Sequence, residues 1–131
     1  MIVVLDASAG VEIVLRRKRA DALEKHLLDA DWVVSPTLYV SEISNVFWKY
    51  HRFNNLPIKE CEKGLEHALS LPDELCSDRE LCVEAFSLSC LTREPVYDML
   101  YLVAARRRNG YLLTVDRTLK ETAISQSIRV L

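Results

Sequence analysis

The N-terminal stretch Ile2-Val3-Val4-Leu5-Asp6 is a short apolar run that ends in an acid. Three of its four apolar residues are β-branched. A continuous run of this kind is typical of a parallel strand that is covered by helices on both faces. We therefore expect Asp6 to lie at the carboxyl end of a buried strand.

A second run of the same form lies near the C terminus, where residues 111–115 precede Asp116. Helical periodicity fills most of the chain between the two runs. The predicted strands comprise residues 2–5, 32–34, 74–77, 111–115 and 128–131. This alternation predicts an α/β fold with three α/β/α layers and a central, mainly parallel sheet of about four to five strands. Asp6 and Asp116 would then lie at the strand ends where such folds bind ligands.

Two helix boundaries carry local signals. Ser35-Pro36 predicts the start of a helix that runs to about residue 53, because Ser can cap a helix and Pro suits its first position. Asn109-Gly110 predicts the end of a helix that begins at Pro95, because both residues tolerate a left-handed backbone.

The bulk composition indicates one domain, residues 1–131. Half of the residues are hydrophobic and only three are glycine, which is enough apolar material for a compact core. The formal charge of −2 argues against a general nucleic-acid coat protein. It leaves a nuclease open, because a bound metal would cancel negative charge at its site. With no signal peptide or membrane-spanning segment in the pattern, we expect a cytoplasmic protein.

The four cysteines show no CxxC pair and no spacing typical of a zinc site. Three of them fall on apolar helix stripes, so we expect reduced thiols in the core. The cysteines are Cys61, Cys76, Cys82 and Cys90. The three histidines form no metal-ligand pattern and are expected at the surface.

Three acids have an ordinary explanation. Asp6 and Asp116 can each cap the helix that follows, and Asp98 lies in the first turn of a helix, where the dipole favours a negative charge. Each is more simply read as a helix-terminus acid than as a ligand.

Glu42 does not fit that explanation. It lies about two turns inside its predicted helix, with Leu38 and Val46 four residues away on either side and Asn45 three residues later. Its helix face therefore carries an acid and an amide in an apolar surround, although a solvated flank remains an alternative.

Convergence of the four acids would require a cation. Carboxylates about 5 Å apart repel by roughly 3 kcal/mol per pair at an effective dielectric constant near 20. Oxygen ligands suit Mg²⁺ or Mn²⁺, and one or two such ions can activate water and stabilise the leaving oxygen of a phosphodiester.

Four motifs in order along the whole chain resemble the PIN-domain ribonucleases, and most of all the VapC-type toxins of prokaryotic toxin–antitoxin pairs. The motifs are VLDAS near the start, SExxN at Ser41, PVYDMLYLVAA around Asp98, and LLTVD ending at Asp116. Each is short and unspecific alone, but together they span a chain of domain size.

The resemblance implies metal-site and catalytic roles for Asp6, Glu42, Asp98 and Asp116. It implies accessory polar roles for Ser8, Asn45 and Thr114. It further implies an RNA substrate, a cognate antitoxin partner, a homodimer, and Mg²⁺ or Mn²⁺ as cofactor. Ala7 stands where Thr is common in the family and Arg117 follows the last acid, and neither change removes a ligand.

Two arginine clusters are candidates for contact with RNA phosphates. They include Arg16 and Arg17 in the first and Arg106 and Arg107 in the second. The competing interpretation is that both are solvated helix ends that complement the helix dipole.

Other classes remain possible from the sequence. A receiver-like Mg²⁺-binding signalling domain has similar length, but it would need an acidic pair after the first strand and a late lysine. A haloacid-dehalogenase phosphatase would need DxD after that strand, which is absent. A non-catalytic PIN-like interaction module is the closest alternative, and retention of all four acids argues against it.

Overall fold

A single five-stranded sheet carries the two acid-terminated runs on adjacent strands. The computed structural model describes all 131 residues. The strands are β1 (Ile2–Leu5), β2 (Trp32–Pro36), β3 (Glu74–Cys76), β4 (Tyr111–Leu113) and β5 (Arg129–Val130). The helices are α1 (Ala7–Val14), α2 (Ala20–Leu28), α3 (Leu38–Asn54), α4 (Ile58–Ser70), α5 (Asp78–Thr92), α6 (Val96–Arg107) and α7 (Arg117–Ser125).

The strand order is β3-β2-β1-β4-β5, and every pair of neighbouring strands is parallel. The predicted α/β/α class is confirmed, and the sheet is entirely rather than mainly parallel. The chain builds the sheet outward from β1 through β2 to β3 and then returns to place β4 on the other side of β1. Strand order therefore reverses between β1 and β4, and parallel sheets bind ligands beyond the carboxyl ends of strands at such a point.

The core has two halves, one on each face of the sheet. In β1, Val3 and Leu5 belong to the half formed with α1 to α4, whereas Val4 belongs to the half formed with α5 to α7. This alternation follows from the two-residue period of a strand. Both faces of β1 are therefore fully covered, as its continuous apolar sequence predicts.

Helix α6 is the most deeply buried helix. Residues 99–105 are all buried, because the sheet covers one side of α6 and α5 packs along the other. A helix that is apolar on all sides is expected only where it is enclosed. Asp98 lies immediately before this buried segment, so its position is held by the packing of α6.

The predicted helix start at Ser35-Pro36 is wrong. Both residues belong to β2, where they pair with β3, and α3 begins at Leu38. The buried Ser35 hydroxyl donates to the carbonyl of Leu5 (2.7 Å), and the Leu38 N–H donates to the carboxylate of Asp78 (3.1 Å). Strand pairing across the sheet therefore overrides the local capping signal.

Other local expectations have mixed outcomes. Asn109 does have the left-handed backbone expected after α6, with φ 50°. All four cysteines are free, but Cys82 and Cys90 are exposed on α5 rather than buried. Their stripe faces outward because the opposite side of α5 packs on α6. No helix combines the length and hydrophobicity needed to cross a membrane.

We expect Gly10→Ala to destabilise the fold because α1 approaches Tyr39 closely. A Cβ atom at Gly10 would lie 2.5 Å from the Tyr39 hydroxyl oxygen. Tyr39 is fully buried, and its hydroxyl donates to the Ala68 carbonyl (2.8 Å), so the ring cannot easily move. Overpacking of this kind costs about 1–3 kcal/mol of unfolding free energy, measurable by urea denaturation.

The background Tyr39→Phe provides the control. It removes the oxygen that the new methyl group would meet, and the nearest remaining ring carbons lie at 3.3 Å. Gly10→Ala should therefore cost less in that background. An equal cost in both backgrounds would show that the Tyr39 hydroxyl is not the obstacle.

Candidate active site

Asp6 lies just beyond the end of β1 and is only 4% exposed. Its Oδ1 accepts a hydrogen bond from the Ala9 N–H (2.9 Å), so it caps α1. The Ser8 hydroxyl lies 2.8 and 2.9 Å from the two carboxylate oxygens, and the Thr114 hydroxyl donates to Oδ2 at 2.5 Å. Three donors therefore hold the carboxylate in one orientation.

The two hydroxyls join Asp6 to the loop that follows β4. Ser8 Oγ accepts from the Val115 N–H (3.1 Å), and Thr114 Oγ1 accepts from the Asp116 N–H (3.0 Å). Strand β4 ends at Leu113, two residues earlier than predicted, which frees Thr114 to turn toward Asp6. The position of Asp116 is thus tied to Asp6.

Asp116 and Asp98 both lie at helix N termini. Asp116 caps α7, because its Oδ1 accepts from the Leu119 N–H (3.0 Å), and the residue is exposed. Asp98 is half-buried in the first turn of α6. Asp116 is therefore a helix cap, whereas Asp98 is a first-turn acid whose carboxylate forms no hydrogen bond within the chain, and both have oxygens free for another ligand.

Glu42 is held from across the site by a residue that the sequence pattern does not mark. The Tyr101 hydroxyl donates to Glu42 Oε1 at 2.6 Å, and Tyr101 itself is 2% exposed. This bond links α3 to α6. Tyr101 lies in an apolar helix stripe and therefore resembles a core residue. The one available signal is that a buried phenol requires a hydrogen-bond partner.

The causes of the pKa shifts show which acids interact electrostatically. Burial raises the pKa of Asp6 to about 6 although its three hydrogen bonds oppose the shift, and the charge of Glu42 adds to the rise. Burial also raises the pKa of Glu42, which the Tyr101 bond lowers and the charge of Asp98 raises. The pKa of Asp98 is raised by burial and next by the charge of Asp116.

These charge couplings link Asp6 to Glu42, Glu42 to Asp98 and Asp98 to Asp116, and we call the four acids the acid row. It is open rather than clustered, since no three acid, histidine or cysteine side chains lie close enough together to hold one metal ion. Mg²⁺ usually keeps several waters and binds through one or two carboxylates, so an open row of oxygen donors suits it. The raised pKa values add a reason for a cation, because positive charge would favour the ionised carboxylates.

The remaining predicted residues lie in different places. Asn45 is exposed one turn after Glu42 on α3. Arg17 lines the same cavity as Ser8, Glu42 and Asn45, and its guanidinium lies 5.2 Å from the centre of the Tyr50 ring.

The other predicted arginines are paired with acids. Arg16 forms ion pairs with Asp21 and Glu24. Arg106 and Arg107 both approach Glu84, at 3.9 and 2.9 Å. They lie in the last turn of α6, roughly 12 Å along the helix from Asp98. Of the four arginines, only Arg17 is placed beside the acid row.

The PIN domain family model matches residues 3–125, and the chain belongs to this family. It is 31% identical over 123 residues to Ribonuclease VapC3 of Pyrobaculum aerophilum, a match that covers 92% of this chain and 94% of that protein. The resemblance to VapC-type PIN domains is therefore confirmed.

Two solved structures share the fold. The Pyrobaculum aerophilum protein PAE2754 superposes with a TM-score of 0.74 and 22% identity, covering 93% of this chain and 87% of that one. A chain of VapBC2 from Rickettsia felis, crystallised with a DNA fragment from their promoter, superposes with a TM-score of 0.71 and 14% identity, covering 100% and 98%. Both likenesses concern the fold.

We expect the metal-free protein to lose stability as the pH rises through the range in which Asp6 ionises. The folded pKa of about 6 lies above the ordinary value of 3.8, so folding favours the protonated acid. The stabilisation is complete below about pH 4 and is lost as the pH passes about 6. Linkage gives a change of about 3 kcal/mol in unfolding free energy.

The measurement is urea unfolding in EDTA from pH 4 to 7 for the wild type and Asp6→Asn. Glu42 and Asp98 are present in both proteins, so the difference between the two pH profiles reports Asp6 together with its charge coupling to Glu42. Wild-type stability relative to the variant should fall across this range. A relative increase would contradict the assignment.

Proposed function

We propose that this protein is a metal-dependent endoribonuclease that hydrolyses RNA phosphodiester bonds, and that it is the toxin of a VapBC-type pair. The observation that carries the proposal is the acid row at the point where strand order reverses in a PIN domain. The identity to a protein named as a ribonuclease supports the substrate class.

In this proposal, Asp6, Glu42, Asp98 and Asp116 hold one or two Mg²⁺ or Mn²⁺ ions directly or through water. Bound ions would supply positive charge at the phosphate and lower the pKa of the attacking water. Ser8 and Thr114 orient Asp6 by donating hydrogen bonds to it. The Asn45 amide, exposed beside Glu42, can donate to a phosphate oxygen or to water.

The wild type should cleave single-stranded RNA in Mg²⁺ or Mn²⁺ and lose activity in EDTA. Glu42→Gln and Asp98→Asn keep the side-chain shape but remove a negative charge from the acid row. We expect each to lower kcat/KM by at least about 100-fold, on the scale of losing a group that stabilises developing charge. A gel assay with labelled RNA measures this.

Glu121→Gln is the matched control, because Glu121 is an exposed acid that pairs with Arg117 on the surface of α7. It should leave the rate unchanged. Undiminished activity in both Glu42→Gln and Asp98→Asn, or full activity in EDTA, would refute the metal mechanism. A wild type that cleaves no RNA under any metal condition would favour the non-catalytic interaction module.

Metal binding has a readout that does not need catalysis. A ligand that binds only the folded state raises stability by mass action. Millimolar Mn²⁺ should raise the Tm of the wild type and of Glu121→Gln by several degrees, and the rise should be smaller in Asp6→Asn and Asp98→Asn. Equal Tm shifts in all four proteins would show that Mn²⁺ binds outside the acid row.

We further propose that the protein binds a cognate antitoxin, forms a homodimer and acts in the cytoplasm. The solved VapBC2 relative supports the antitoxin. The outward side of α5 supports the dimer, because Val83 and Phe86 are 77% and 62% exposed. Light scattering gives the oligomeric state. Co-expression with the product of a neighbouring small gene should suppress RNA cleavage if that product is the antitoxin.

A further inference from the structure

Two cavities meet at the acid row and share one wall. The first, of about 410 Å³, lies between α1 and α3 and includes Ser8, Arg17 and Lys49. The second, of about 360 Å³, lies between α3 and α6 and includes Leu38, Tyr97 and Asp98. Glu42 and Asn45 line both cavities and so form the wall between them. We call them the basic cavity and the tyrosine cavity.

The basic cavity is lined by two cations, Arg17 and Lys49, and by two acids, Glu12 and Glu42. Neither Arg17 nor Lys49 forms an ion pair, whereas Arg16, which directly precedes Arg17, is held by two acids. The Arg17 guanidinium lies over the Tyr50 ring, which positions it without cancelling its charge. Lys49 follows Glu42 and Asn45 at helical spacing, on the same side of α3. Two available cations beside an acid row are suited to a phosphate.

The tyrosine cavity presents an aromatic ring. Tyr97 is 64% exposed, although it stands next to Asp98 at the start of the buried helix α6. Its ring and hydroxyl make no hydrogen bond or aromatic contact within the chain, and the flanking Leu38 and Pro95 add apolar surface. Every nucleobase has a face that can stack on such a ring.

We infer that single-stranded RNA crosses the wall formed by Glu42 and Asn45, with one nucleobase stacked on Tyr97 and a neighbouring phosphate held by Arg17 and Lys49. The inference rests on the proposed nuclease function, and it adds the path of the substrate across the site and the residues that hold it. The strand must be unpaired, because in a duplex each base face is covered by the neighbouring base pair and the base cannot turn out to stack on Tyr97. The path carries the backbone over the acid row.

This path also indicates where base preference would arise. Stacking on Tyr97 tolerates any base. The Ser41 hydroxyl and the Asn45 amide line the same cavity and can hydrogen-bond to the edge of a base. Tyr97 would therefore supply affinity, and the polar groups of α3 would supply selectivity.

The stacking site is tested by measuring the Kd of a fluorescein-labelled single-stranded octaribonucleotide from its fluorescence anisotropy. EDTA is present so that the RNA is not cleaved. Tyr97→Ala should raise Kd about tenfold, and Tyr97→Phe should bind like the wild type, because stacking needs the ring and not the hydroxyl. Phe53→Ala is the matched control, since Phe53 is 65% exposed on α3 and lines neither cavity. It should leave Kd unchanged.

A set of otherwise identical octamers, each with one nucleotide made abasic, separates stacking from general attraction. Removing the base at one position should lower the affinity of the wild type about tenfold. The same abasic octamer should bind Tyr97→Ala no more weakly than the intact octamer does. A fully paired duplex should bind more weakly than the single strand. Equal Kd for the wild type and Tyr97→Ala on every RNA, or tighter binding of the duplex, would overturn the inference.

The proposed phosphate contacts of Arg17 and Lys49 are tested by the salt dependence of RNA binding. Arg17→Ala and Lys49→Ala should weaken binding of all sequences and each lower the salt dependence, the slope of log Kd against log salt, by about one. Arg106→Ala and Arg107→Ala, at the far end of α6, should change neither quantity. If only Arg106→Ala and Arg107→Ala lose affinity, the RNA binds at the far end of α6 and the proposed path is wrong.

Cleavage distinguishes failure of this path from failure of the proposed function. If the wild type cleaves RNA in Mn²⁺ but Tyr97→Ala and Lys49→Ala keep its KM, the path is wrong and the nuclease proposal stands. If the wild type neither binds nor cleaves RNA, both are wrong. A higher KM with kcat largely kept in Tyr97→Ala supports the path, because stacking away from the acid row aids binding more than chemistry.

Discussion

The buried carboxylate of Asp6 is the constraint on which the rest of the site depends. An acid taken out of water is costly unless hydrogen bonds compensate it. Here the compensation comes from the first turn of α1 and from the loop after β4, through Ala9, Ser8 and Thr114. These bonds join two strands at the point where strand order reverses. One acid thus ties the start of α1 to the loop that leads to Asp116.

The hydrogen bonds of Asp6 only partly offset the cost of burying its charge. Three donors leave the pKa of Asp6 well above its ordinary value, and burial and neighbouring acids also raise the pKa values of Glu42 and Asp98. The protein therefore holds carboxylates at some cost to its own stability. A divalent cation would remove much of that cost, because it favours the ionised forms. This balance is typical of a site organised for a ligand rather than for the fold alone.

Much of the architecture follows from sequence because its signals are local. The apolar run before Asp6 and the one before Asp116 predict parallel strands that are covered on both faces, and the sheet has that form. The capping roles of these acids also depend only on the next few residues. The start of α3 was mispredicted for the opposite reason: the pairing of Ser35 and Pro36 with a strand some 40 residues later outweighs their capping preference.

The sequence alone determined the fold class and the family and marked the four candidate acids, because strand periodicity, helix caps and short motifs act over a few residues. Tertiary structure alone decided how those acids are supported and what surrounds them. Tyr101 reaches Glu42 across 59 positions of sequence, and Thr114 reaches Asp6 across 108. It also decided that Arg17 stands unpaired at the site while Arg106 and Arg107 lie at the other end of α6. Charge is visible in a sequence, but its neighbours are set by packing between elements that are distant along the chain.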